Sequence, residues 1–375
     1  MRTATALQDG APAPGSETLL LPARHLPGPQ EAGRLLVVDP AAREGAGAEQ
    51  FFATNLDALP QLLGPGDLLV VNDTATLPAS LRGQDAAGRT LEARLVAHDN
   101  DVTFRAVLFG AGDWRTRTED RPAPPRLGPG ARLGFGAPGA LAATVISVSP
   151  RSPRLVVLRF DRQGDAFWNA LYRIGRPVQY AHLDHALPLW AVQNVYAQRP
   201  WAFEMPSAGR PLSWHRLGQL RRRGIAVASV THAAGLSSTG DAALDAQLPL
   251  PERFEIPSAT AAAIAQARAR GGRLIAVGTS VVRALEGAHH SWGQVAAGVG
   301  VTSLRLSPGH RLQVVEGLLS GMHQAGESHF QLLGAFAPLP LLLRANAFAA
   351  ARGFLGHELG DSTLILARRP PLSPA

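Results

Sequence analysis

The chain has 375 residues, room for two ordinary domains at ~150 residues each, and its 46% hydrophobic and 17% charged residues suit a protein with a true core. It has no cysteine, and all 36 basic residues are arginine. Disulfides, thiolate nucleophiles, cysteine zinc sites, Schiff-base chemistry and a Walker A lysine are therefore excluded.

In chain order, residues 1 to 30 are rich in Ala, Pro and Gly and are expected to be irregular. No continuous apolar core marks a signal peptide there, and no later run nears the ~20 apolar residues of a membrane span. A cytoplasmic protein without a membrane segment is expected. Strands are predicted from Arg34 to Pro40 and from Asp67 to Val71. The second ends on Asn72-Asp73-Thr74, three polar residues where a bare turn would suffice. Such residues can simply punctuate a turn, but in open α/β sheets ligands sit beyond the carboxyl ends of strands.

From about 84 to 160 the pattern alternates in the antiparallel manner, at 91–96, 102–107, 141–148 and 154–160, with Gly- and Pro-rich turns between. Short strands at this spacing predict a small β-barrel or sandwich. We expect residues 81–160 to be inserted into a discontinuous α/β core of residues 1–80 and 161–375. Helices are predicted from Ala166 to Ile174, from Pro188 to Ala197, and through Arg223 under a Ser213 cap with Gly224 as stop. The strand Ile225 to Val230 follows. Ser258 is expected to cap a helix over Ala259 to Arg270, leading through Gly271-Gly272 into the strand Leu274 to Val277. That strand ends on Gly278-Thr279-Ser280, and a helix from Val281 to Ala288 follows. Strand, polar end and helix in repetition predict a mixed or parallel sheet.

Two strand ends thus carry polar clusters, and one shared cleft is expected to hold both. Helix-opening amides with the Thr279 and Ser280 hydroxyls make an acceptor site, toward which Arg283 can reach. Equally, a hydroxyl there can only cap and Arg283 can lie on the surface. The net charge of +7 favours a polyanionic partner without proving one. The densest groups, Arg221-Arg222-Arg223 and Arg268, Arg270 and Arg273, suit phosphate contacts. They also suit solvated helix ends, where cations complement the dipole.

"GDLLVVNDTATLPASLRG", "RLIAVGTSVVRALE", "PGHRLQVVEGLLSGMHQAGESHFQLLGAFA" and "LGDSTLIL" together resemble the S-adenosylmethionine:tRNA ribosyltransferase-isomerase family of queuosine biosynthesis. The resemblance is collinear from about Leu56 to Leu366. It implies an α/β core carrying an inserted small antiparallel β-barrel. It implies transfer and isomerisation of the ribosyl group of S-adenosylmethionine onto 7-aminomethyl-7-deazaguanine in tRNA, giving epoxyqueuosine. S-adenosylmethionine is then a co-substrate, with no prosthetic group and no metal. The partner is tRNA in its anticodon region, and a monomer is favoured.

By resemblance His323 is the first choice for acid–base work, since imidazole exchanges protons near neutrality. Glu252 and Asp73 complete the catalytic candidates. Asn72, Thr74, Pro206, Ser207, Gly209, Thr231, Gly235, Gly278, Thr279, Ser280, Arg283, Glu327 and Ser328 are the binding candidates. The chain departs from the family after Pro206-Ser207-Ala208-Gly209, where Arg210-Pro211-Leu212 replaces Leu-His-Phe and the histidine is lost. It departs again at His232, displaced one position along a strand and so to its opposite face. Two family arginines are replaced by Ala75 and Ser80. Three readings follow: the family reaction, a paralogous S-adenosylmethionine-dependent enzyme with a non-tRNA acceptor, and a silent nucleotide- or RNA-binding scaffold.

Overall fold

The computed structural model describes residues 19–28, 33–42, 49–100 and 102–366, so the expectation for 1 to 30 falls mostly outside them. A nine-stranded mixed sheet runs in the order Gly298–Thr302, Glu252–Ile256, Ala226–His232, Leu68–Asn72, Leu274–Val277, Gly317–Gly321, Ser362–Leu366, Arg34–Val38, Phe51–Asn55. The strands Ala226–His232, Leu68–Asn72, Leu274–Val277 and Gly317–Gly321 are mutually parallel. Every residue of Leu68–Asn72 and Leu274–Val277 is buried, as a parallel strand covered on both faces requires. Leu68 and Val70 join a core with Ile264, Val281 and Leu285. Leu69 and Val71, on the other face, join one with Leu59, Leu217 and Leu220. Asp67, wholly buried, pairs with Arg273 at 2.7 Å and ties the amino ends of two of these strands together.

Strands between Ser80 and Phe160 close a six-stranded antiparallel barrel, so the mixed α/β fold with a small barrel agrees with the sequence reading. Phe104, Phe135 and Phe160 fill it, and Phe167 of the helix Gly164–Ile174 packs 4.9 Å from Phe104 and from Phe160. On the barrel's outer face, buried against the core, lies an ionic cluster in which Glu92 pairs with Arg94 at 2.8 Å and with Arg121 at 2.5 Å.

Two predicted elements differ. In place of a helix over Pro188 to Ala197 there is a single short turn, Leu189–Val192. Gln193 is extended because its side-chain amide clamps Thr76, accepting from its N–H at 2.8 Å and donating to its carbonyl at 2.9 Å. Ser258 lies inside the helix Ser258–Ala269, whose extended Pro257 stands at the cap. Ser213 does cap Trp214–Arg222, accepting from the Arg216 N–H, and Gly224 stops that helix at φ 73°. Among the described residues no helix is long and apolar enough to cross a membrane.

Candidate active site

A cavity of about 1060 Å³ opens at the carboxyl ends of three of the four parallel strands. Its floor is Val277 to Ser280 and Ser320 to Gly321, its walls include Pro206, Ser207 and Ala234 to Ser238, and the barrel contributes Arg117 to Glu119. The segment Gly235 to Asp241 straps core to barrel: Ser238 donates to Glu119, and Ser152 donates to Asp241 at 2.6 Å. The Leu274–Val277 strand can turn straight into the helix Thr279–Trp292 because Gly278 sits at φ 90°, a conformation that L side chains avoid.

Two charged centres face this space. At one, Arg283 grips Glu252 with both ends of its fork, at 2.8 and 3.0 Å, while the Gly235 amide donates to the same carboxylate at 3.0 Å. His232 lies 3.2 Å from it, close enough for an ion pair when protonated but not aligned for a hydrogen bond. Burial works to raise the Glu252 carboxyl, yet Arg283 and His232 together outweigh it and hold the group far below the usual carboxylate range. At the other centre His323 places Nε2 3.2 Å from the Ser320 hydroxyl and Nδ1 3.4 Å from Glu327. Burial likewise opposes ionisation of Glu327, and the His323 interaction overcomes it, leaving its carboxyl lowered. His329 stacks on His323 with centroids 4.9 Å apart. Burial first, then the charges of His323 and Arg283, bring His329 down to about 3, so it is a neutral imidazole at working pH.

The fold therefore gathers Pro206, Ser207, Gly235, Glu252, Gly278, Thr279, Ser280, Arg283, His323, Glu327 and Ser328 around one space. Asn72, Asp73, Thr74, Gly209 and Thr231 do not line it. Asn72 is a buried pin: its amide donates to the His232 carbonyl and the Ser280 hydroxyl, and its oxygen accepts from the His232 and Thr74 amides. Asp73 accepts from the hydroxyls of Ser229 at 2.8 Å and Thr231 at 2.7 Å, with both carboxylate oxygens engaged. These contacts remove Asp73, with its partner Thr231, from the reacting space. Thr74 bonds back to Asn72. A side chain at Gly209 would overlap the Tyr196 hydroxyl, so that glycine serves packing. Glu252 also differs from its expected part as a base: a carboxylate so strongly paired takes a proton poorly, and it instead anchors Arg283.

The expected cleft thus lies beside Gly278-Thr279-Ser280 but not at Asn72-Asp73-Thr74. Both arginine clusters sit at the opposite end of the sheet, where the helices ending at Arg222 and Ala269 run into the amino ends of their strands. The strands that follow them, of seven and four residues at ~3.3 Å per residue, put them ~23 and ~13 Å from the strand ends that border the cavity.

Sequence reasoning missed Tyr180, His182, Glu204, His329, His357 and Glu358, all of which line the cavity. Glu204, two residues before Pro206-Ser207, and His329, beside Ser328 in a quoted motif, had local signals, and His357-Glu358 directly precede another. His182, His357 and Glu358 place three potential ligand atoms within 4.8 Å of one another. Within this cluster His182 Nε2 lies 3.1 Å from a Glu358 carboxylate oxygen.

Parallel strands with polar ends, covered helices and an attached barrel define an α/β protein with a polar ligand site at the strand carboxyl ends. A family model described as "Queuosine biosynthesis protein" matches residues 20–365, and the chain belongs to that family. It is 37% identical to the S-adenosylmethionine:tRNA ribosyltransferase-isomerase of Anaeromyxobacter dehalogenans (strain 2CP-C), covering 91% of this chain and 94% of that one. It is 35% identical to the protein of the same name from Thermosynechococcus vestitus, covering 90% of each. The crystal structure of S-adenosylmethionine tRNA ribosyltransferase from Thermotoga maritima superposes with a TM-score of 0.50 at 21% identity, over 94% of this chain and 100% of that one. That likeness is one of fold.

Proposed function

We propose that this protein transfers and isomerises the ribosyl group of S-adenosylmethionine to 7-aminomethyl-7-deazaguanine in tRNA, giving epoxyqueuosine and releasing adenine and methionine. Membership of the family over residues 20–365 carries the reading, and a cavity of about 1060 Å³ supports it. Pockets for single small ligands run ~300–1000 Å³, and this one is just above that range, large enough for a nucleoside co-substrate. S-adenosylmethionine is a co-substrate, and the reaction calls for no prosthetic group.

The sulfonium acidifies the neighbouring ribose C5′ protons, and a base must take one. His323 has the geometry for it. With Nδ1–H toward Glu327, Nε2 carries the lone pair and shares it with the Ser320 hydroxyl 3.2 Å away at the cavity floor. Thr279, Ser280 and the amides opening their helix suit ribose or carboxylate oxygens, and Ser328 is a further hydroxyl at the rim. Arg283, held by Glu252, presents a fixed cation. Arg117 and Arg305 line the cavity on its barrel side and suit the phosphates of an anticodon stem.

Adenine release from S-adenosylmethionine with tRNA bearing the aminomethyl-deazaguanine tests this. We expect turnover, reduced roughly 10²–10⁴-fold in His323→Ala, the usual contribution of a positioned acid or base. Release with a small amine but not with tRNA would leave the chemistry and overturn the acceptor. Ligand binding without release to any acceptor would overturn the reading.

A further inference from the structure

Glu204 lines the same cavity but differs from its other glutamates. Glu252 faces Arg283 and His232, Glu327 faces His323, and Glu358 faces His182. Among the described residues no arginine or histidine pairs with Glu204, and the charge acting on it is the like charge of Glu358. Three donors converge on Oε1: the Tyr180 hydroxyl, the Ser237 amide at 3.0 Å and the Ser237 hydroxyl at 3.3 Å. Oε2 has no protein donor among the described residues. The carboxyl is thus held in one orientation by one oxygen, with the other left over and no cation to neutralise it. A half-buried carboxylate facing a cavity without a cationic partner is costly, so a ligand cation is the natural complement.

We propose that Glu204 receives the primary ammonium group of the acceptor on Oε2 and takes one of its protons. This rests on the reading above, that the acceptor carries an aminomethyl group. The N–H bond breaks with its electron pair remaining on nitrogen, the proton passes to Oε2, and the neutral amine is left as the nucleophile. An alkylammonium must lose a proton before it can attack, and at neutral pH it is charged. Burial, ahead of the opposing Tyr180 and Ser237 hydrogen bonds, pushes the Glu204 carboxyl up to about 7. A carboxyl so placed can both take and return a proton near neutrality. The Tyr180 hydroxyl, itself pushed well up chiefly by burial, stays protonated and keeps donating.

The α-ammonium of the methionyl group in S-adenosylmethionine offers the same chemistry but leaves unreacted. For holding it, a permanently ionised carboxylate would serve better. Calorimetry separates the two. With protein saturated in S-adenosylmethionine, wild type should bind 7-aminomethyl-7-deazaguanine roughly ten- to a hundredfold tighter than the 7-methyl analogue, the range for a hydrogen bond to a charged group. Glu204→Gln should bind both alike, with S-adenosylmethionine affinity unchanged within about twofold. Retained preference in the variant, or binding of neither base to wild type, overturns the proposal. A matching loss of S-adenosylmethionine affinity assigns the carboxyl to the methionyl ammonium and overturns it also. In turnover, the acceptor kcat/KM should rise with pH through about 7 in wild type, and Glu204→Gln should lose that limb. Tyr180→Phe removes a bond that favours the ionised carboxyl and should move the limb to higher pH. A merely structural Tyr180 would leave the limb in place. Wild type inactive with tRNA refutes the proposed function, and the base-binding comparison still decides the role of Glu204.

Discussion

At the residue scale, two glutamates of one cavity have carboxyls shifted in opposite directions, and the reason is their neighbours. Glu252 has a bidentate arginine, whereas Glu204 has only neutral donors. Their effects on stability should have opposite signs. The Glu252 carboxyl is lower in the folded than in the unfolded chain, so its contribution is present above about pH 4.5 and is lost as pH falls. Arg283→Ala leaves that carboxylate buried without its bidentate cation, with only His232 and the Gly235 amide beside it, which costs ~3–5 kcal/mol. Urea unfolding should show the full deficit at neutral pH and a shrinking one on acidification below about 4.5. Arg283→Lys should not restore it, because a point charge cannot supply two parallel bonds. Glu204 is raised, so its contribution is complete below about pH 4.5 and is lost as pH rises through about 7. Glu204→Gln should therefore unfold at a higher temperature than wild type above about pH 7, with the difference gone below about 4.5. A variant no more stable at either pH would refute the assigned ionisation.

At the element scale, the junction between the Leu274–Val277 strand and the Thr279–Trp292 helix sets the cavity floor. Gly278 takes φ 90°, and a Cβ there would come 3.2 Å from the Ala208 Cβ, which borders the same cavity. Gly278→Ala should cost ~1–3 kcal/mol, because φ 90° with ψ 153° is a conformation essentially confined to glycine, read by thermal unfolding. It should also weaken S-adenosylmethionine binding, since any relief of the clash moves Thr279 and Ser280. Unchanged affinity would separate that turn from the ligand site. The Asn72–Thr74 segment has another part. Its amide and hydroxyls bind the ends of neighbouring strands together, so polar residues at a strand end can be pins as readily as ligands.

For the whole molecule, topology decides which arginines can meet a substrate in the cavity. Arg221, Arg222 and Arg223 are exposed but lie at the amino ends of the parallel strands. Replacing all three with alanine should leave the salt dependence of tRNA binding nearly unchanged. Arg117→Ala with Arg305→Ala should weaken binding and flatten its slope by about 0.7–0.9 for each phosphate no longer neutralised. A flatter slope from the Arg221–Arg223 variant would mean that tRNA wraps onto the far end of the sheet.

The elements were legible from local pattern. Buried strands such as Leu68–Asn72 are continuous apolar runs, barrel strands alternate, and Ser213 and Gly224 bound a helix by their own chemistry. So were the parts of the site that motifs carry, at Gly278 to Ser280, Arg283 and His323 to Ser328. Gln193 was not, because its clamp lies on Thr76, 117 residues away. Nor were Tyr180, Glu204 and Ser237, which meet only when the chain from the barrel, the Pro206 turn and the strap after His232 are folded against one another. The sequence by itself determined the fold class and the family, since periodicity, turn residues and motifs are local properties. Only the tertiary structure decided which polar residues share a cavity and which carboxyl lacks a cation, because burial and charge neighbours are set by distances in space, not along the chain.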